Sequence, residues 1–120
     1  MKLFAWWVPL SAEIGRRLHE LREVLWPRWR TVFVESDILP DVLPRRRLVV
    51  AREGEELWSA GMICPCGCGE TIELGLFPEA EPSWELTMDD RARPSLSPSV
   101  WRRTGCRAHF FMRSGRVYWC

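Results

Sequence analysis

The sequence predicts an α+β fold of mainly antiparallel strands, a small sheet or sandwich with one N-terminal amphipathic helix and a C-terminal hairpin. Three observations predict this class. Short runs of β-branched and aromatic residues alternate with turn-forming residues along most of the chain. One segment near the N-terminus repeats its apolar residues at helical spacing. The last residues form two β-like runs around Ser114-Gly115, a two-residue turn that is typical of a hairpin.

The first predicted elements are a strand and the helix. The apolar run over 2–8 predicts a strand, which Pro9 ends. A helix is predicted over about 12–26, because apolar residues recur there at i, i+4, i+7 and i+11. Pro27 ends this helix. Its apolar stripe consists of Ile14, Leu18, Leu21 and Leu25.

The remaining elements are strands separated by turns and by two long loops with prolines, 36–47 and 89–105. The predicted strands cover 31–35, 48–53, 57–63, 71–77, 83–88, 109–113 and 116–120. A chain of 120 residues has the length of one domain. We therefore expect a single domain, 1–120, with a strand-helix-strand part over 1–56 and a part over 57–120 that carries the cysteines.

Charge and hydropathy argue against nucleic acid and membranes as partners. The formal net charge is +1, so the molecule as a whole has no strong field to attract nucleic acid, and nucleic-acid binding is not expected. No apolar run approaches the ~20 residues of a membrane span, so we expect no membrane segment and a cytoplasmic location. Eight tryptophans predict a core of large rings, with some rings exposed for docking a protein.

Clustered cysteines indicate a metal site. Cys64, Cys66 and Cys68 lie within the segment "CPCGCG", and Cys106 and His109 follow later with a C-x-x-H spacing. In a reducing cytoplasm, such a cluster indicates metal binding rather than disulfides. Zinc prefers four thiolate or imidazole ligands in a tetrahedral arrangement. The sequence therefore predicts a zinc-bound sheet or sandwich whose Zn²⁺ site lies in the second part of the chain.

Five candidate ligands are one more than a tetrahedral site needs. One possible set consists of Cys64, Cys66, Cys106 and His109. That set leaves Cys68 over, and Cys68 could instead replace Cys64 or Cys66. An iron–sulfur centre of the Rieske type requires two histidines in addition to two cysteines. Only one histidine is available near these cysteines, which favours zinc.

Two residues near the cysteines are candidates for catalysis. A catalytic zinc keeps an open position for water and needs a general base, and Glu70 directly follows the cluster. Ser99 lies a few residues before Cys106, so a zinc site that includes Cys106 would bring the serine hydroxyl close. This hydroxyl could bind substrate or act as a nucleophile. Its histidine partner would be His19 or the candidate ligand His109, and the sequence gives little support for a Ser-His-Asp triad.

Four segments between Trp58 and Trp119 share a pattern with known proteins. They are "WSAGMICPCGCGETIEL", "PSWELT", "SLSPSV" and "GCRAHFFMRSGRVYW". With its CPCGCG cluster, tryptophan strand, Pro-Ser loop and terminal C-R-x-H hairpin, the chain resembles a bacterial family of small zinc-site proteins long labelled as a domain of unknown function. The N-terminal half resembles this family only loosely.

The resemblance implies a function in bacterial ubiquitin-like conjugation, because genes of this family lie beside genes for ubiquitin-like proteins and for E1-like and E2-like enzymes. The implied activity is a peptidase that processes a ubiquitin-like precursor or releases the modifier from its targets. We therefore expect a zinc-containing peptidase whose partners are a ubiquitin-like protein and E1/E2-like enzymes. The alternative is a non-catalytic, zinc-stabilised adaptor that recruits an E2-like carrier or its target.

Overall fold

The structure is a computed structural model that describes residues 26–120 together with Leu18, Leu21 and Leu25. Within residues 26–120, every element is a β-strand. The strands are β1 (Arg30–Glu35), β2 (Arg47–Glu53), β3 (Glu56–Ile63), β4 (Thr71–Gly75), β5 (Glu85–Met88), β6 (Pro94–Ser97), β7 (Val100–Trp101), β8 (His109–Arg113) and β9 (Arg116–Trp119).

The strands form three sheets. Strands β1 to β4 make a four-stranded sheet in chain order, β5 pairs with β6, and β7 to β9 make a three-stranded sheet. Strands β1 and β2 run parallel, with the loop 36–46 as their connection. All other pairings between the described strands are antiparallel. The sheets are therefore mainly antiparallel.

The predicted α+β class, with its N-terminal amphipathic helix, is wrong. Residues 26–120 contain strands and no helical element. The described leucines of the predicted stripe, Leu18, Leu21 and Leu25, are exposed by 54%, 52% and 71%. An amphipathic helix gains most of its stability by burying its apolar stripe, and these leucines are not buried. The predicted strand over 2–8 lies outside the described residues. No helix in the described part is long and apolar enough to cross a membrane.

Two strands lie within 89–105, the segment that the sequence predicts to be a loop. Strand β6 begins at Pro94, and a proline is tolerated at the first residue of a strand because its missing N–H is not needed there. Strand β7 has two residues, and its ladder continues through the Arg102 N–H, which donates to the Ala108 carbonyl at 2.8 Å. Prolines interrupt the strand pattern here. Ser99 lies between these two strands.

The three sheets share one hydrophobic core. Strand β8 buries Phe110 and Met112 completely, whereas His109 and Phe111 on its other face are partly exposed. This alternation follows from the two-residue period of a strand. The same core contains Leu48, Val50, Met62, Leu74, Leu96, Val100 and Val117. Burial of β8 through Phe110 and Met112 therefore directs the His109 side chain to the outer face.

The C-terminal hairpin, β8 and β9, turns at Ser114 and Gly115. Both residues have positive φ angles, 48° and 76°, as a two-residue hairpin turn of type I′ requires. The Trp29 N–H donates to the Gly115 carbonyl at 2.8 Å, and a Cβ on Gly115 would lie 2.5 Å from the Trp29 carbonyl oxygen. Glycine is therefore needed both for the turn and for this close backbone approach.

Candidate active site and metal centre

The turn between β3 and β4 holds three of the thiols. Cys64 follows β3 and is buried, whereas Cys66 is half-buried and Cys68 is exposed. The Cys64 N–H donates to the Glu70 carbonyl at 2.8 Å, which closes the turn. Gly67 has a φ of 94°, in the left-handed region that a side chain would disfavour. The repeated Cys-x spacing thus places three sulfurs on one tight turn.

A fourth thiol comes from the loop between β7 and β8. The Cys106 sulfur lies 3.6 Å from the Cys64 sulfur, and the Cys66 sulfur lies 3.3 Å from that of Cys64. All four sulfurs, including that of Cys68, lie within 4.8 Å of one another. Four sulfurs at ~2.3 Å from a tetrahedral metal are roughly 3.8 Å apart. The four cysteines are therefore close enough to hold one metal ion.

The surroundings affect the protonation of these thiols differently. Burial raises the pKa of Cys64 and of Cys66. Desolvation also acts to raise the pKa of Cys106, but hydrogen bonds from the Ala108 backbone and from the neighbouring thiols lower it to about 7. Metal ligation requires thiolates. Metal binding to this cluster therefore releases protons from the buried thiols.

Arg102 lies beside the cluster and carries a positive charge toward the sulfurs. Its Nη1 donates to the Cys106 sulfur at 3.3 Å and to the Cys68 sulfur at 3.7 Å. Its Nη2 forms an ion pair with the Glu70 carboxylate. The structure thus places Glu70 in contact with Arg102. Within residues 26–120, the Glu70 carboxylate makes no hydrogen bond to Ser99 or His109. Arg102 and Glu70 therefore place a pair of opposite charges next to the thiols.

His109 lies apart from the four thiols and contacts Ser99 instead. The Ser99 Oγ and the His109 Nε2 are 2.9 Å apart, a hydrogen-bond distance. Strands β7 and β8 create this pair, because Trp101 lies directly opposite His109 in the antiparallel ladder. Ser99 immediately precedes β7, so this pairing brings its hydroxyl close to the imidazole. A hydroxyl and an imidazole in this contact can act as nucleophile and base.

Backbone contacts hold both members of the pair. The indole N–H of Trp84 donates to the Ser99 carbonyl at 3.3 Å, and Trp84 packs against the core. The His109 carbonyl accepts the Cys120 N–H at 3.0 Å, which ties His109 to the end of β9. These contacts anchor the backbone of both residues, and so help to hold the hydroxyl and the imidazole in place.

The structure separates the sequence-predicted site residues into two groups. The cysteines of the predicted ligand set meet in the cluster, and Glu70 is next to it. Ser99 and His109 form the second group. Sequence reasoning missed Trp84, Trp101 and Arg102. Trp101 lies two residues after Ser99. In a strand, this spacing would place both side chains on one face, but the prolines around Ser99 predict a loop.

These features define a class of protein: a β-rich domain with four thiols close enough to hold a metal ion and a serine–histidine pair of the kind that serine hydrolases use. Residues 35–120 match the family described as "Bacterial ubiquitination-like system serine protease (BubE)", and the chain belongs to this family. The match confirms the expected association with bacterial ubiquitin-like conjugation. Comparisons with curated proteins and with solved structures give no significant match.

Proposed function

We propose that the protein is a serine peptidase that cleaves at the C-terminus of a bacterial ubiquitin-like protein, with Ser99 as nucleophile and His109 as general base. The observation that carries the proposal is the 2.9 Å contact between the Ser99 Oγ and the His109 Nε2. The description of the family as a serine protease supports it. Glu70, the other candidate for catalysis, has no place in this assignment, because its carboxylate is paired with Arg102.

The Ser–His contact supports acyl transfer in two stages. The His109 Nε2 accepts the Ser99 hydroxyl proton while the Ser99 Oγ attacks the scissile carbonyl carbon. His109 then gives this proton to the leaving amine as the C–N bond breaks, which leaves an acyl group on Ser99. Water, deprotonated by His109, attacks the acyl carbon, and the proton returns to Ser99 as the acid product leaves.

The four cysteines fit a zinc ion in a structural role. Four thiolates complete the tetrahedron that zinc prefers, so no coordination position is left for a catalytic water. When bound, zinc supplies a fixed link between the turn after β3 and the loop before β8, and its binding free energy adds to folding stability. Of the five candidate ligands in the sequence, of which four were expected to bind, Cys64, Cys66, Cys68 and Cys106 hold the metal in this proposal. His109 acts on Ser99 instead.

The substrate and partners follow from the family rather than from the site. The family's description places its members in a bacterial ubiquitination-like system. A ubiquitin-like protein is therefore the proposed substrate, and the E1-like and E2-like enzymes of the same system are proposed partners. The activity is either maturation of the ubiquitin-like precursor or release of the modifier from a target.

A cleavage assay tests this function. The substrate is the ubiquitin-like precursor encoded in the same genome, fused at its C-terminus to a reporter protein. We expect Ser99→Ala and His109→Ala each to lower kcat/KM by at least about 10³-fold. Ser97→Ala is the matched control: Ser97 is an exposed serine of the same segment that makes no side-chain hydrogen bond within residues 26–120, and this variant should cleave within about threefold of wild type.

The adaptor alternative predicts a different outcome. Under that alternative, the wild-type protein forms a complex with the E2-like carrier, and neither the wild type nor Ser99→Ala cleaves the fusion. The Ser99–His109 contact favours the enzyme, because a binding surface does not require a hydroxyl and an imidazole at hydrogen-bond distance. Cleavage by Ser99→Ala at the wild-type rate would remove Ser99 from the chemistry.

A further inference from the structure

The His109 ring is held by an unusual set of contacts for a catalytic base. Its Nε2 is engaged by Ser99. Within residues 26–120, no carboxylate or carbonyl group is hydrogen-bonded to the other ring nitrogen. In a Ser-His-Asp triad, an acid at that nitrogen fixes the orientation of the ring. The contacts of the His109 ring in the described part are therefore the place to look for an orienting group.

Trp101 is the residue in position to do this. Its indole is stacked on the imidazole, with ring centroids 4.9 Å apart and planes inclined by 14°. The hydrogen bond from the Arg102 N–H to the Ala108 carbonyl makes Trp101 and His109 a non-hydrogen-bonded cross-strand pair. Side chains of such a pair are especially close. The stack is therefore set by the register of β7 and β8.

Trp101 is itself held from outside. The Arg103 guanidinium lies 4.4 Å from the centroid of the indole. Trp101 is nevertheless 53% exposed, whereas the largest buried ring, Trp29, is 2% exposed. Packing in the core therefore does not account for the position of Trp101. Its indole contacts the His109 ring and the Arg103 guanidinium.

We propose that Trp101 is a positioning residue for His109. Its indole limits the imidazole to the ring plane in which Nε2 faces the Ser99 Oγ, and so performs the orienting part of the role that a hydrogen-bonded acid has in a triad. The effect on catalysis rests on the proposed function. The geometry of the Trp101 and His109 rings can be measured independently of any activity.

The test combines structures and kinetics of three variants of the full chain. Trp101→Ala removes the stacked ring, whereas Trp101→Phe keeps an aromatic ring at this position. Tyr118→Ala is the control, since Tyr118 is 49% exposed and its ring is not stacked on His109. In crystal structures, we expect the Ser99 Oγ–His109 Nε2 contact to be lost in Trp101→Ala and kept in Trp101→Phe and Tyr118→Ala. An intact contact in Trp101→Ala overturns the proposal.

Kinetics then distinguish positioning from substrate docking. We expect Trp101→Ala to lower kcat by about 10–100-fold with KM changed by less than about threefold, and Trp101→Phe to recover most of the loss. A raised KM with unchanged kcat would assign Trp101 to substrate binding and contradict the proposal. Ser99→Ala, assayed in parallel, tests the proposed function separately, because the ring geometry in Trp101→Ala decides this inference even if Ser99→Ala remains active.

Discussion

The Arg102 guanidinium donates a hydrogen bond to the Cys106 sulfur, 3.3 Å away, and so joins the thiol cluster to the strand beside Ser99. Arg102 directly follows β7, and Cys106 lies in the loop that leads to β8. One thiol of the cluster, that of Cys106, and the Ser99–His109 pair therefore belong to the same β7–β8 segment. We expect a metal ion bound at Cys106 to stabilise the register of β7 and β8, and with it the alignment of Ser99 with His109.

Removal of the Arg102 side chain should weaken metal binding. A cluster of four thiolates with Zn²⁺ carries net negative charge, and Arg102 provides the positive charge nearest to it in the described part. We expect Arg102→Ala to lower zinc affinity by about tenfold or more, measured by competition with a coloured chelator. Arg103→Ala is the control, since the Arg103 guanidinium faces Trp101. Equal zinc affinity in Arg102→Ala and wild type would show that the contact is incidental.

Glu70→Gln separates a supporting role from a catalytic one. In the structure, Glu70 is paired with Arg102, and glutamine can still accept a hydrogen bond from that guanidinium. We expect kcat to remain within about threefold of wild type in the cleavage assay. Loss of an essential general base would instead lower kcat by about 10²–10⁴-fold. A loss of that size would return Glu70 to the catalytic machinery.

The four cysteines should bind one zinc ion per chain, and folding should depend on it. We expect Cys64→Ser to lose the metal and to reduce the free energy of unfolding by about 5 kcal/mol or more, since bound zinc contributes much of the stability of such sites. Cys120→Ser should behave as wild type, because Cys120 is outside the cluster. Metal analysis and denaturant unfolding provide both readouts. Full stability of Cys64→Ser without metal would contradict a structural zinc.

Gly115→Ala tests the hairpin contact that supports β8. Alanine at a φ of 76° would be strained, and its Cβ would lie 2.5 Å from the Trp29 carbonyl oxygen. We expect at least about 2 kcal/mol of destabilisation in urea. Gly54→Ala is the matched control, because Gly54 has a φ of 62° but a Cβ added there would meet nothing within 4 Å. This control should lose only about 1 kcal/mol, and equal losses at both positions would exclude the steric contribution at Gly115.

Some of this organisation could be predicted from the sequence, and the reasons are local. The Ser114-Gly115 turn predicts the hairpin, and the close spacing of Cys64, Cys66 and Cys68 predicts the thiol cluster. Both signals depend on neighbouring residues. The leucine stripe near the N-terminus predicts an amphipathic helix from its periodicity alone. Periodicity does not show whether other residues bury the stripe, and the described leucines are exposed.

The Ser99–His109 contact is a different case. It depends on the register of β7 and β8. The prolines around Ser99 predict a loop, so the sequence does not indicate that β7 exists or how it pairs. The C-x-x-H spacing also suggested that His109 is a zinc ligand. In the structure, the Cys106 sulfur lies in the thiol cluster, whereas the His109 imidazole contacts Ser99. Tertiary register, rather than spacing, decides which partner the imidazole has.

The central claim is that Ser99 is a nucleophile activated by His109, and covalent labelling tests it most directly. A fluorophosphonate probe reacts with an activated serine through displacement of fluoride by the serine oxygen. We expect one adduct per chain on Ser99 by peptide mass spectrometry, and no adduct in His109→Ala or Ser99→Ala. Absence of labelling in the wild type, or labelling of His109→Ala at the wild-type rate, would contradict the claim.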